Sequence, residues 1–310
     1  MPKVWAIART TFKEAIRNRI LYILLIFALL LMASSGVISD LSIAAHDRII
    51  KDLGVFGISA FGLLIAVFVG ISLIYNEMDK KTIYTIISKP INRSEYLLGK
   101  FLGLLLTIYV IMLFMTFFFM AVVYYFQYMS DENLTRALWR VSESGEYRYA
   151  GFGAYLFYIV KAVVMSAVKA LGTILLVYHS EATANILAVV CYSALELAIV
   201  TAFAILFSTF TSPTLSAIFT VLTFIIGRMN EDIVRYALHV LDKEGPTLKY
   251  HVANAAALVA PNFGVFNKSA ELIYSDTPIG FDAIAVGYGV LYLAAVLMLA
   301  MLVFRRRNLK

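Results

Sequence analysis

The chain has 310 residues, 61% of them apolar and 15% charged, with a net charge of +6; soluble domains run at roughly 45–50% apolar and 25% charged. Five charge-free runs, at 20–39, 53–76, 101–130, 197–227 and 283–304, hold 20 to 31 residues each. Each can cross a bilayer as a helix, which excludes a soluble globule and predicts an all-α integral membrane protein.

Residues 1–19 place Trp5, Ala8, Phe12, Ala15 and Ile16 on one helical face, with Arg9, Lys13 and Arg17 in an i, i+4 stripe. That pattern predicts an amphipathic elbow helix lying on the inner leaflet and leading into the first span. Its five basic residues, against the single acid Glu14, put it on the cytoplasmic side. This patterned lead is long for the n-region of a signal peptide, the other reading of a Leu-rich stretch followed by Ala33, Ser34 and Ser35.

Spans are expected at 20–37, 55–75, 96–126, 185–207, 214–227 and 282–304, six in all. The chain 1–310 then reads as one transmembrane domain. Its parts are the elbow (1–19), spans one to three (20–126), an outer segment (127–184), spans four and five (185–227), a second outer segment (228–281), span six (282–304) and a basic tail (305–310). Arg305, Arg306, Arg307 and Lys310 place the tail in the cytoplasm as well, so the number of spans is even. Six spans give the inside segments a net charge of +10 and the outside loops −2. The positive balance is therefore a topological asymmetry, and no nucleic-acid partner is expected.

Between the second and third spans, Thr82, Ile83, Ile86 and Ile87 have helical spacing, and Pro90 stops that helix. Ser94 is expected to cap the next one. Residues 76–93 thus read as a short charged helix across the cytoplasmic mouth of two spans, with an ordinary solvated loop as the alternative. Gly99 and Gly103 form a GxxxG at the start of the third span, a spacing that lets two helices approach closely.

In the outer segment, 155–178 is nearly as apolar as a span but contains Lys161 and Lys169. As a seventh span it would put the arginine-rich tail outside and set each lysine near mid-membrane at a cost of about 2.5–3.5 kcal/mol. It reads instead as an outer interfacial or partly inserted helix, with Ser166, Lys169 and Thr173 on its polar face. Glu196 is the one acid inside a core span. Such a carboxylate belongs either to a translocation path or to packing between helices.

Thr211 and Ser212 interrupt the next apolar stretch, and Pro213 suits the first turn of a new helix. The chain is polar from 228 to 250, then apolar at 253–266 but broken by Pro261, Asn262 and Gly264. This predicts a helix pair dipping into the outer leaflet. The 14-residue fifth span is expected to lean on it.

Catalytic chemistry is not in view. Cys191 has no partner in the chain, and His46, His179, His239 and His251 lack metal-ligand spacing. There is no GxxxxGK(S/T) loop, GxSxG elbow or GxGxxG turn. No cofactor is expected on this chain, which is not expected to be an enzyme by itself.

Glu77-Met78-Asp79-Lys80-Lys81-Thr82 is similar to the acidic residue plus Gly-Thr stretch of ABC-2 type ABC transporter permease subunits, and Ser88-Lys89-Pro90-Ile91-Asn92-Arg93 to their S(R/K)PxxR block. Gly99-Lys100 and residues 207–213 extend the likeness, so the chain resembles that family in order and spacing over nearly its whole length. It departs at Lys81, where the family commonly has Gly, and in its long outer segment. The resemblance implies an exporter permease of a bacterial or archaeal cytoplasmic membrane, with both termini inside. An ATPase subunit would dock against Glu77, Asp79, Lys80, Lys81, Thr82, Pro90 and Arg93, holding the ATP and Mg itself. A second permease copy, forming a homodimer, is implied as well. The alternatives are an ion-gradient-driven secondary transporter, for which no internal repeat is evident, and a membrane scaffold without transport.

Overall fold

The computed structural model describes residues 2–40, 46–79, 92–130, 139–141, 147–149, 152–174, 181–268 and 282–306. Its described elements are helices, apart from two three-residue strands that pair antiparallel, β1 (Trp139–Val141) and β2 (Tyr147–Tyr149). Five helices are long and apolar enough to cross a bilayer: α2 (Arg19–Asp40), α3 (His46–Asp79), α4 (Arg93–Ser130), α6 (Glu181–Ser208) and α10 (Ala283–Arg306). They coincide with five of the six expected spans. The sixth, 214–227, is α7 (Pro213–Arg228), with Pro213 in its first turn. Its 16 residues reach about 24 Å, short of a hydrocarbon core of about 30 Å.

Small residues decide which helices touch. A Cβ on Gly54 would meet Phe119, and one on Gly70 would meet Leu104, so α3 runs antiparallel to α4. The hydroxyls of Ser59 and Ser193 lie 3.3 Å apart, and Gly62 faces Leu197, so α6 runs in the direction of α3. Gly289 faces Leu195 and Tyr292 meets Phe203, so α10 does too. The centre is α3 and α6, whose spans are 67% buried, against 28% for α2 and 17% for α10. These directions gather Arg17, Arg19, Arg93, Arg305 and Arg306 at one end of the bundle, the basic end.

At that end α1 (Pro2–Ile16) packs on α4. Ala8, Thr11 and Ala15 form its buried stripe, while Trp5 stays exposed. A Cβ on Gly103 would sit 2.6 Å from the Ala8 carbonyl oxygen, and one on Gly99 would sit 3.0 Å from that of Val4. The GxxxG is therefore the groove that receives α1, and not a span-to-span contact. Lys100, buried beside it, holds its ammonium 3.6 Å from Glu14. The cap of α4 is Asn92 rather than the expected Ser94: Glu95 Oε2 accepts from the Asn92 N–H, and the Asn92 carbonyl accepts from the Tyr96 N–H.

The expected polar outward face of 155–178 is reversed. In α5 (Phe152–Ile174), Ser166 and Thr173 are buried with Tyr158, Ala162 and Ala170 against α4, while Leu156, Val160, Val163, Val164 and Val168 face out. Ser166 Oγ donates to the Ala162 carbonyl and Thr173 Oγ1 to that of Lys169. With its hydroxyl satisfied inside the helix, Ser166 packs as closely as alanine, while Thr173 Oγ1 also meets the Tyr124 hydroxyl of α4 at 2.7 Å.

The expected helix pair lies earlier than 253–266. It comprises α8 (Asn230–Glu244) and α9 (Leu248–Val259), which turn at Gly245, where φ is +72°. Asn230 Nδ2 closes its base by donating to the carbonyls of Ala257 and Ala260. The returning chain then locks onto α7, the Phe263 N–H donating to the Gly227 carbonyl at 2.9 Å. The lean of the short helix on this segment is thus a backbone hydrogen bond. Asp282 begins α10 by accepting from the N–H groups of Ile284 and Ala285.

Candidate functional site

A cavity of about 490 Å³ opens in the half of the bundle away from the basic end, walled by α3, α6, α7 and the 3₁₀ turn Gly264–Phe266. Val55, Phe56, Leu63, Val189 and Phe266 make most of its wall apolar, and Asp52, Ser59, Ser193, Arg228 and Asn267 supply its polar groups. That volume and mixture suit a small organic molecule.

The electrostatic feature of the wall is a bidentate ion pair. Arg228 Nε donates to Glu196 Oε1 and Nη2 to Oε2, both at 2.7 Å. Glu196 is 2% exposed and Arg228 25%, so the carboxylate lies behind the guanidinium, which fronts the cavity. Phe224 carries the guanidinium over its ring, Cζ 5.4 Å from the centroid. Charges this far from water persist only when paired with good geometry. The pair ties α6 to the end of α7 inside the bundle.

Glu196 thus sits where an intramembrane acid is expected to matter, but as half of a pair. Arg228 was not legible as its partner, because in sequence it opens the polar stretch after the fifth run. One signal could have exposed it. A helix of about 14 residues starting at one face stops short of the other, so the arginine at its end needs a counter-charge, and Glu196 is the acid available.

Glu77 and Asp79 occupy the last turns of α3, so they continue the second span's helix instead of beginning a separate one. Lys80, Lys81, Thr82 and Pro90 lie outside the described residues. Arg93 opens α4 and donates from Nη1 to the Arg305 carbonyl at 3.2 Å, binding α4 to the end of α10. Gly99 and Gly103 belong to the α1 seam. Among the described residues, Glu77, Asp79, Arg93, Gly99 and Gly103 are not gathered with Glu196: they lie toward the basic end, and the cavity lies toward the other. What connects the two is α3, one helix of 34 residues, about 50 Å long, with Asp52 on the cavity and Glu77 and Asp79 at its other end.

A family described as ABC-2 family transporter protein matches residues 5–309. Among curated proteins, the chain is 34% identical over 111 residues to the probable ABC transporter permease protein NosY of Pseudomonas aeruginosa, covering 33% of this chain and 39% of that protein. It is 33% identical over 111 residues to the protein of the same name from Stutzerimonas stutzeri, with the same coverage. The matched stretch thus spans about two fifths of these relatives' length.

Proposed function

Since the chain belongs to the ABC-2 family of transporter proteins, a family of multi-pass membrane proteins, we propose that it is the permease subunit of an ATP-driven exporter. In this reading it moves a small organic substrate across a bacterial or archaeal cytoplasmic membrane with ATP hydrolysed, and Mg held, by a partner subunit. It works as a homodimer. The basic end faces the cytoplasm, which keeps both termini inside, and α7, leaning on the outer segment that holds the α8–α9 hairpin, serves as the fifth of six spans. Residues 1–19 are the elbow and 76–93 the coupling segment.

The observation that carries the mechanism is the continuity of α3. An ATPase engaging Glu77, Asp79, Lys80, Lys81, Thr82 and Pro90 pushes on one end of a rigid helix whose other end walls the cavity, so closure of the nucleotide sites widens or narrows that cavity directly. Arg93 anchors the far end of the coupling segment to α10. This chain transmits force and hydrolyses nothing. The ion-gradient alternative would use the intramembrane acid Glu196 as its coupling group, and that carboxylate is held in a bidentate pair by Arg228.

The test is gentle purification of the tagged chain from its native membrane, followed by assay of vanadate-sensitive ATP hydrolysis. A stoichiometric ATPase whose association and activity are lost in Glu77→Arg is the expected result. A chain that purifies alone and without ATPase activity would overturn the proposal.

A further inference from the structure

At the basic end a groove of about 670 Å³ separates the first turn of α4 from the last turns of α10. Its character changes along its length. Asn92, Arg93, Ser94 and Arg305 form one end, and Met298, Met301 and Leu302 form the other. Met298 lies seven residues before Arg305 on α10, about 10 Å deeper along the helix. Both Met298 and Leu302 are 56% exposed, so the apolar part opens sideways, toward the membrane.

The polar part is built rather than incidental. Arg93 Nη1 is fixed on the Arg305 carbonyl at 3.2 Å, and the ring of Tyr96 stacks on Phe304 at 6.0 Å behind it. Arg305 and Arg306 end an apolar helix of 24 residues, about 36 Å, long enough to cross a hydrocarbon core of about 30 Å. The opening turn of α4 adds the positive end of its helix dipole. The acid nearby in sequence, Glu95, has its Oε2 on the Asn92 N–H as a cap.

We propose that this groove is a binding site for an anionic phospholipid, its phosphate held by Arg93, Arg305 and the start of α4 and its acyl chains laid along Met298, Met301 and Leu302. A basic pocket between helices at the cytoplasmic membrane boundary has the charge and depth profile of such a lipid. A soluble phosphate would have no use for the apolar half, and a zwitterionic lipid would bring a cationic group beside its phosphate into the field of the same arginines. The site rests on the cytoplasmic placement of the basic end proposed above, but not on transport or on any ATPase.

The test uses the full chain in nanodiscs of defined composition. A photoactivatable phosphatidylglycerol, labelled in the chain near the headgroup, should crosslink to Met298, Met301 or Leu302. Excess unlabelled phosphatidylglycerol should suppress the adduct and phosphatidylcholine should not. Arg93→Gln with Arg305→Gln should weaken retention roughly fivefold per arginine removed, read by native mass spectrometry, while Arg93→Lys with Arg305→Lys retains most of it. Adducts confined to other helices, equal competition by phosphatidylcholine, or equal competition by glycerol phosphate would each overturn the proposal. The wild-type crosslink decides the matter even if the glutamine variant fails to fold. Failure of ATPase copurification would leave it untouched.

Discussion

The two ends of the bundle are held together differently. At the basic end helices meet closely: α1 lies in the Gly99–Gly103 groove, Lys100 reaches Glu14, and Arg93 sits on the Arg305 carbonyl of α10. Toward the other end α3, α6 and α7 stand apart around a cavity, where contacts between the described residues include the Glu196–Arg228 ion pair and the Ser59–Ser193 hydroxyl pair. Close packing of small residues makes the first end rigid. A few polar contacts in an apolar setting make the second one able to change, because breaking them requires a replacement partner and not the repacking of a core.

The largest effect that sharpens this contrast is expected from Arg228→Ala. It leaves Glu196, 2% exposed, without its partner, and loss of one member of a buried pair costs about 3–5 kcal/mol. Glu196→Gln should cost less, because the arginine left behind is a quarter exposed and reaches water through the cavity. Thermal unfolding of the purified variants would show the order; equal losses would mean that both charges share one environment. The combination Glu196→Arg with Arg228→Glu should recover part of the loss.

At the basic end Gly103→Leu is expected to cost about 1–3 kcal/mol by overpacking, since even a Cβ would press on the Ala8 carbonyl at 2.6 Å. It should release α1, read as loss of a crosslink between cysteines placed in α1 and at the start of α4. An intact crosslink would show that the glycine seam does not hold the elbow. Smaller is Ser193→Ala, which removes the contact to Ser59 and should cost about 0.6 kcal/mol, the average for an interhelical hydrogen bond in a membrane protein.

The smallest effect is pH-dependent. The N–H of Ile284, and after it that of Ala285 and the ammonium of Lys268, hold the Asp282 carboxyl below its usual value. A lowered folded-state pKa stabilises the fold above the ordinary value of 3.8, and that stability is lost as pH falls through the lowered one. The gap in unfolding temperature between wild type and Asp282→Ala should therefore be present at neutral pH and close below about pH 4. A gap that persists unchanged at pH 3 would rule out the charged cap.

The positions of the helices were largely legible. Charge-free runs mark where backbone can satisfy itself in hydrocarbon, and five of the six expected spans fall on long apolar helices, though the second of these, α3, begins nine residues earlier than expected, at 46 and not 55. The family, too, could be recognised from the residues between 77 and 100. The candidate site was legible only in half, because Glu196 announces itself as an acid in an apolar run, whereas Arg228 looks like the first residue of a loop. Its role follows from the height at which α7 stops, a three-dimensional fact.

The sequence by itself thus determined where the five long apolar helices lie and which end of the bundle carries the positive charge. The tertiary structure alone decided that Ser166 and Thr173 turn inward on α5, that the GxxxG receives α1, and that Glu196 is paired. The reason is the solvent. In water an apolar face must be buried, so pattern predicts packing; in lipid both surroundings are apolar, and contacts are chosen by close fit and by polar groups finding one another.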